Sequence, residues 1–384
     1  MGSTPGGQRP PRILHLHSSF NLGGKEARAV RLMNLWGGRL RHSILNGFSE
    51  QSGARAAIDP AVDVDFPQAP ALTGRMRLGR FRALARFMAG YDLVLSYNWG
   101  AMDGVMAHRL FSPFMRLPPI IHHEDGFNED EIAGLKPRRN RYRRVALGSA
   151  HALVVPSTVL RGIARDIWRQ PERRLHFIPN GISLDAYAQP PAPDAIPGLV
   201  RAPGKLLVGT LAGLRPVKNI RRLVRAVAPL RDRLQLVIVG DGADRAAILA
   251  EAAALGMDDL HMAGFLPDPH RFVGLFDIFA LSSDSEQFPI ALVEAMAAGL
   301  PAVSTDVGDV MAMVAPENRP LIVPVTDEAV FSAALKRLAD DAALRRRLGM
   351  ANREKAFAHY GEPAMVDAYA RLYGEALVRP SLLR

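Results

Sequence analysis

The sequence predicts an α/β protein of two doubly wound domains facing across a cleft, and three observations carry that prediction. Short, β-rich apolar runs alternate with helical patterns along the chain, the pattern of parallel sheets covered by helices. At 384 residues the chain is too long for one ordinary domain and long enough to bury two cores. A stretch with five prolines and little periodicity, YAQPPAPDAIPGLVRAPGK (187–205), divides it near the middle and reads as linker. The expected domains are 10–187 and 201–360, with 188–200 between them.

In the first half RILHLHS (12–18), YDLVLSY (91–97), PIIHHE (119–124) and HALVVPS (151–157) read as buried strands ending in polar residues. In the second half KLLVGTLAG (205–213), LQLVIVGDG (234–242), FDIFALSS (276–283) and LPAVSTD (300–306) repeat the pattern. From Tyr360 on the chain reads helical, with Met365, Tyr369, Leu372 and Tyr373 on one side. Ligands of such sheets bind outside the carboxyl ends of the strands, so the residues just after each strand are the candidates.

Composition excludes several chemistries. Hydrophobic content of 48% with 22% charged residues is that of a soluble globular protein. With no cysteine there are no disulfides, thiolate metal sites or cysteine nucleophiles. The eleven histidines show no HExxH-like spacing, so no metal is expected. The Gly/Pro-rich start shows no signal peptide, and no run of about 18 apolar residues is present, so a cytoplasmic location is expected. The net charge of +10 divides into +11 for residues 1–190 and −1 for the rest. It is densest in GRMRLGRFRALAR (74–86) and KPRRNRYRR (136–144). In the first of these, five arginines interleave with apolar residues as in a basic amphipathic helix, which suits either an anionic membrane surface or a solvated arginine-rich face. No nucleic-acid-binding module accompanies these runs, and no nucleic-acid partner is expected.

Several strand ends carry chemistry. Gly23 and Gly24 open a helix whose first turn holds Lys25 and Glu26; paired glycines allow close approach of a phosphate or sugar, or simply a tight turn. The pair is not the GxGxxG of a dehydrogenase. After PIIHH stand Glu124 and Asp125, carboxylates able to orient a hydroxyl, stabilise positive charge or take a proton. Asn180-Gly181 reads as turn chemistry at a hinge. Arg215 and Lys218 lie on the loop after KLLVGTLAG, where two cations ahead of a helix can hold a diphosphate. VGDG (239–242) is a further glycine-rich turn, and Gly264, Phe265 and Leu266 form a loop where backbone groups can read a base edge. In DSEQFPIALVEAMAAGLPAVS (284–304), Pro289 starts a helix. Amides around Phe288, Ile290 and Ala291 would face the crevice. Glu286 stands before this helix and Glu294 one turn inside it, one placed for a transferring group and the other for a vicinal diol.

Taken in order, GGKE, EDG, IPNGI, LRPVKN, VGDG, AGF and SDSEQFPIALVEAMAAGLPAVSTDVGD resemble the retaining glycosyltransferases of family four, which have the GT-B fold of two Rossmann-like domains. The resemblance spans nearly the whole chain, and E-x7-E followed by EAMAxGxPxVxTxVG is its most specific part. It implies a nucleotide-diphosphate sugar donor held mainly by the second domain, closure of the domains over it, and no metal or other cofactor. Glu294 would hold the ribose hydroxyls. Arg215 and Lys218 would hold the diphosphate with the amides after Phe288, and Gly264 to Leu266 would border the base. Glu286 would contact the transferred sugar, and Gly23-Gly24 would approach the phosphate. The C-terminal helix, 361–384, would cross back to the first domain. Three departures stand out: Gln287 replaces a common glycine, Arg215 lies two residues later than the usual arginine, and Asp125 replaces a frequent histidine. The catalytic candidates are thus Glu286, Glu124 and Asp125. A front-face transfer needs no protein nucleophile, whereas a double displacement would use a carboxylate. The basic first half suggests a sugar or lipid-linked acceptor of surface-polysaccharide assembly. A nucleotide-sugar epimerase and a non-catalytic nucleotide-sugar or membrane-binding protein are the alternatives.

Overall fold

The computed structural model describes residues 9–384, apart from 22, 49, 128, 132 and 133; the Gly/Pro-rich start of the sequence lies outside them. The chain divides into two units, Met1–Pro179 with Met365–Arg384, and Asn180–Ala364.

The first unit is built on seven strands, β1 (Arg12–His17), β2 (Arg41–Asn46), β3 (Val64–Asp65), β4 (Leu93–Tyr97), β5 (Ile120–His123), β6 (Ala152–Val155) and β7 (Leu175–Phe177). They run parallel in the order β3-β2-β1-β4-β5-β6-β7. Helices α1 (Gly24–Trp36), α2 (Leu78–Met88), α3 (Met102–Phe111), α4 (Pro137–Ala146) and α5 (Thr158–Asp166) connect them. The central strands are apolar on both faces because helices cover both: Ile13, Leu93 and Ile121 face one cluster, Leu14, Val94 and Ile120 the other. Ser157 caps α5 by accepting from the Leu160 amide at 3.1 Å. The predicted basic helix exists as α2, with Phe81, Leu84 and Met88 buried while Met76 and Leu78 are 69% and 70% exposed.

The second unit repeats the plan with β8 (Leu206–Leu211), β9 (Leu234–Val239), β10 (His261–Gly264), β11 (Ile278–Leu281), β12 (Ala302–Thr305) and β13 (Ile322–Val323). These run parallel in the order β10-β9-β8-β11-β12-β13. Its helices are α6 (Ile220–Val227), α7 (Arg245–Ala254), α8 (Ile290–Ala297), α9 (Val310–Met313), α10 (Glu328–Asp340) and α11 (Ala342–His359). Asp327 and Asp341 cap α10 and α11, accepting from the amides of Val330 and Leu344.

The unit boundary falls at Pro179, ahead of the predicted 188–200 linker, which therefore belongs to the second unit. Side chains tie that stretch down: Tyr187 and Ile196 enter the core, and Gln235 exchanges hydrogen bonds with the Ala202 amide and the Val200 carbonyl. Prolines here shape a surface strap rather than a free tether. Helix α12 (Glu362–Ala376) carries the chain back into the first unit, and Met365, Tyr369, Leu372 and Tyr373 all enter its core. Among the described residues no helix is long and apolar enough to cross a membrane.

Candidate active site

Both sheets reverse their strand order once, between β1 and β4 and between β8 and β11. The chain leaves in opposite directions on the two sides of such a point, opening a crevice at the carboxyl ends of the strands. Arg215, Lys218 and Glu286 lie on the loops after β8 and β11, at the second of these points.

In the second unit the loops after β8 and β11 are stitched together. The Asp284 amide donates to the Val217 carbonyl at 2.8 Å, and Ser282 Oγ to the Lys218 carbonyl at 3.1 Å. Across this seam Lys218 Nζ lies 2.5 Å from Glu286 Oε1, which also accepts from Ser283 Oγ at 2.8 Å. The residue expected at the diphosphate and the residue expected at the sugar are thus partners of each other. Asn219 follows, in a left-handed conformation (φ 42°) that few residues other than glycine and asparagine adopt easily. Its Oδ1 caps α6 through the Arg222 amide at 3.2 Å, while its Nδ2 donates to both oxygens of Asp284 at 3.1 Å. Arg222 completes the set, 2.7 Å from Asp284 Oδ1 and donating to the Ser282 carbonyl at 2.8 Å. Arg215 stands exposed just before these residues and forms no ion pair among the described residues.

The segment Glu286–Gln287 is held from behind by Gly308, whose φ is 53°. A Cβ there would lie 2.5 Å from the Glu286 carbonyl oxygen and 2.6 Å from that of Gln287. Backbone thus rests directly on backbone, which only glycine permits. Helix α8 then begins at Ile290, with no side chain capping its amino end. Leu292, Val293, Ala295 and Met296 bury its inner side, each large side chain contributing about 2 kcal/mol. Glu294 points from the same helix, half-buried, and its carboxylate has no hydrogen bond or ion pair among the described residues. Burial pushes its carboxyl up to about 7, and the phenol of nearby Tyr187 is raised by burial and then by Glu294.

The remaining predicted donor residues separate. Phe288 is a core residue, edge-on to Tyr360 with ring centres 5.5 Å apart, so its side chain anchors the loop rather than meeting a ligand. The expectation there concerns the backbone amides around Phe288, and the burial of its side chain leaves that expectation unchanged. Pro289 is buried and precedes the first turn, and Ile290 is half-buried. Gly264 ends β10, with its carbonyl accepting from the Gly240 amide at 2.7 Å. Phe265 beside it is 64% exposed, while Leu266 packs on the core.

In the first unit, Gly23 and Gly24 are exposed at the start of α1. Lys25 pairs with the buried Glu26; burial lowers its amine to about 8, against the attraction of Asp125 and with the repulsion of Arg28. Arg28 reaches Asp125 with both guanidinium nitrogens, at 2.6 and 2.8 Å. The Asp125 amide donates to Asn98 Oδ1 at 2.7 Å. Burial alone would raise the Asp125 carboxyl, but Arg28 outweighs it and holds the group below the usual carboxylate range. Glu124, one residue earlier, points the other way. It is 0% exposed, 3.3 Å from Arg143 and 3.6 Å from His122. Fully buried and held by Arg143 of α4, Glu124 presents no surface to a ligand, whereas Asp125 keeps 14% side-chain exposure.

Sequence reasoning missed Arg28, Asn98, Asn219, Arg222 and Asp284. Asn219 could have been found, since it closes the LRPVKN motif ahead of a helix. No local signal links Arg28 to Asp125, which lie 97 residues apart.

The switch point of the second unit thus gathers Lys218, Arg222, Asp284 and Glu286 at the carboxyl ends of its strands. Comparison with known proteins supplies the class. Residues 194–355 match Glycosyl transferases group 1, and residues 47–186 match Glycosyltransferase Family 4. The chain is 32% identical over 322 residues to "Putative glycosyltransferase EpsF" of Bacillus subtilis (strain 168), covering 77% of this chain and 79% of that protein. It is 28% identical over 163 residues to the lipopolysaccharide core biosynthesis glycosyltransferase LpsD of Rhizobium meliloti (strain 1021), covering 42% of this chain and 47% of LpsD. Among solved structures, Anabaena Alr3699/HepE in complex with UDP superposes with a TM-score of 0.77 at 18% identity, over 95% of this chain and 100% of that one. The chain belongs to the group 1, family 4 glycosyltransferases, with the GT-B fold, and is a glycosyltransferase.

Proposed function

We propose that this chain transfers a sugar from a nucleotide-diphosphate donor to a hydroxyl acceptor with retention of anomeric configuration, in the assembly of a bacterial surface polysaccharide or lipopolysaccharide. One observation carries the reading: Glu294 is a carboxylate without a hydrogen-bond or ion-pair partner among the described residues, set one turn into a helix whose uncapped amino end lies next to Glu286 and Lys218. A half-buried, unpaired carboxylate is costly unless a ligand satisfies it, and a ribose diol offers two donors to one carboxylate. UDP bound to HepE and the role of LpsD in lipopolysaccharide core biosynthesis support the donor class and the pathway.

The residues divide the work as follows. Arg215, Lys218 and the first amides of α8 stabilise the charge that develops on the leaving diphosphate. Lys218, bonded to Glu286, links the phosphate to the carboxylate that holds the sugar. Gly264 and the exposed Phe265 border the base. Glu286 holds the transferred sugar, and Asp125, together with the exposed turn at Gly23-Gly24, serves the first-unit side. In a front-face transfer the bond from the anomeric carbon to the diphosphate oxygen breaks, the acceptor oxygen bonds that carbon, and the acceptor's proton passes to the diphosphate. A lipid-linked acceptor at an anionic membrane surface fits the exposed arginines of α2 and the turn before it, Arg75, Arg77, Arg82 and Arg86, flanked by exposed Met76 and Leu78.

A screen of UDP-, GDP- and ADP-sugars by thermal shift and donor hydrolysis tests the reading. One donor should raise the melting temperature and turn over slowly, and Glu286→Gln should lose at least 100-fold in turnover while its donor affinity stays within about fivefold. A donor converted to its epimer without acceptor would replace transfer by epimerisation, and absence of binding to all three classes would end the proposal. Flotation with liposomes containing anionic lipid at low salt checks the membrane part.

A further inference from the structure

The first unit holds a second charged constellation, separate from the donor residues of the second unit. Arg28 projects from the first turns of α1 and is buried to 4% side-chain exposure, with Asp125 at 14%. Its planar fork takes both oxygens of Asp125, and its guanidinium carbon lies 5.6 Å from the centre of the Tyr369 ring, brought by α12. The backbone of Asp125 is fixed independently, through Asn98, which makes the contact from a strained backbone of positive φ (54°). Two separate devices therefore aim one carboxylate that an apolar strand delivers to the carboxyl edge of the first sheet. A lysine in place of Arg28 would supply charge without the fork, so the arginine specifies orientation as well as sign.

We infer that Arg28 is the positioning residue of the first unit's site, holding Asp125 as a fixed, oriented anion rather than as a proton acceptor or nucleophile. The inference rests on the proposed glycosyl transfer for its functional meaning, and deepens it: Asp125 then stabilises positive charge or orients a hydroxyl at the reacting sugar. A carboxylate with both oxygens engaged by one guanidinium is weakly basic, which disfavours the double-displacement route at this residue. The charged and titratable groups facing Asp125 are Arg28 and Lys25 from α1, His123 from β5, Tyr97 from β4 and Tyr369 from α12. Of these Arg28 is the one in direct contact through both oxygens, and it governs the ionisation.

The test uses the full-length protein with Arg28→Lys, Arg28→Met, Asp125→Asn and the double variant Arg28→Met/Asp125→Asn, each checked for a cooperative thermal transition. Carbon-13 NMR of aspartate-labelled protein reads Asp125 directly, its signal identified by its loss in Asp125→Asn. In the wild type it should titrate below the usual carboxylate range, and in Arg28→Met above it, with Arg28→Lys between. Identical titration in wild type and Arg28→Met overturns the inference whether or not any donor turns over. Where UDP-glucose, GDP-mannose or ADP-glucose is hydrolysed, Arg28→Met should lower kcat 10- to 100-fold with donor KM within threefold and move the acidic limb of the kcat profile upward. Arg28→Met should then cost nothing further in the Asp125→Asn background; additive losses would show that Arg28 acts elsewhere. Failure of all three donors to turn over, with the NMR shift intact, would remove the glycosyl-transfer reading and leave the Arg28–Asp125 assignment standing.

Discussion

Glu294 shows how one residue's surroundings set its use. Its carboxyl is raised from 4.5 to about 7 by burial, so the protonated form is favoured in the folded chain. The stability it contributes is full below about pH 4.5 and is lost as pH rises through about 7. Glu294→Gln keeps the neutral form throughout. Its melting temperature should therefore match the wild type near pH 5 and exceed it at pH 8, by an amount equivalent to about 1–2 kcal/mol after allowance for partial exposure. A constant difference across that range would contradict the assignment. The same substitution should weaken UDP binding about tenfold at pH 8, where the ionised carboxylate would accept the ribose hydroxyls. Gly308 makes a complementary case. Gly308→Ala forces both a positive φ and a clash with the Glu286 and Gln287 carbonyls, and should cost about 2–4 kcal/mol in urea titrations. Donor turnover should fall with it, because the displaced loop carries Glu286.

At the scale of elements, the first unit is braced by one buried arginine. Arg143, from α4, is wholly buried and lies against the rings of Trp99, Phe127 and Trp168, with its charge over each at about 5 Å. It donates to both oxygens of Glu131 at 3.1 Å and to Glu124 at 3.3 Å. The loop that follows β5, and with it the backbone of Asp125, is thereby pinned to α4. Arg143→Met preserves the aromatic contacts but strands two carboxylates in a dry site, which should cost about 3–5 kcal/mol. Equilibrium denaturation reads the loss, and a change under 1 kcal/mol would mean that water replaces the guanidinium. KPRRNRYRR, which reads as a basic surface run, thus contains one residue of the opposite kind. Local charge density said nothing of it, because burial depends on which face of α4 meets the sheet.

Over the whole molecule, the ionisable burden is unequal. The first unit buries His15, His17, His42 and His123, and burial lowers all four, His42 to about 4 and His123 to about 3. They form a chain of contacts: His42 meets His15 at 3.0 Å, His15 meets the Tyr97 hydroxyl at 3.2 Å, and His123 bonds the Tyr373 hydroxyl of α12 at 2.9 Å. A histidine whose folded pKa is depressed stabilises above its unfolded pKa near 6.5, and that stability is lost as pH falls toward the folded value. Calorimetry should therefore show the first unit's transition dropping between about pH 6.5 and pH 4, by more than the second unit's. Equal shifts for both units would count against the buried network as the cause.

The amino-acid sequence by itself determined the α/β class, the paired sheets, the returning C-terminal helix and the glutamate-bearing segment 284–304. Each is written in local periodicity or in residues close together in the chain. Tertiary structure alone decided the partners of two adjacent carboxylates, Arg143 of α4 for the buried Glu124 and Arg28 of α1 for Asp125. It also decided that the proline-rich strap belongs to the second unit, that Phe288 is an anchor, and that Lys218 meets Glu286. Those outcomes depend on contacts between distant segments, which local pattern cannot encode. Asn219 lies between the two cases: the motif displayed the residue, and the fold supplied the left-handed turn and the Asp284 it holds.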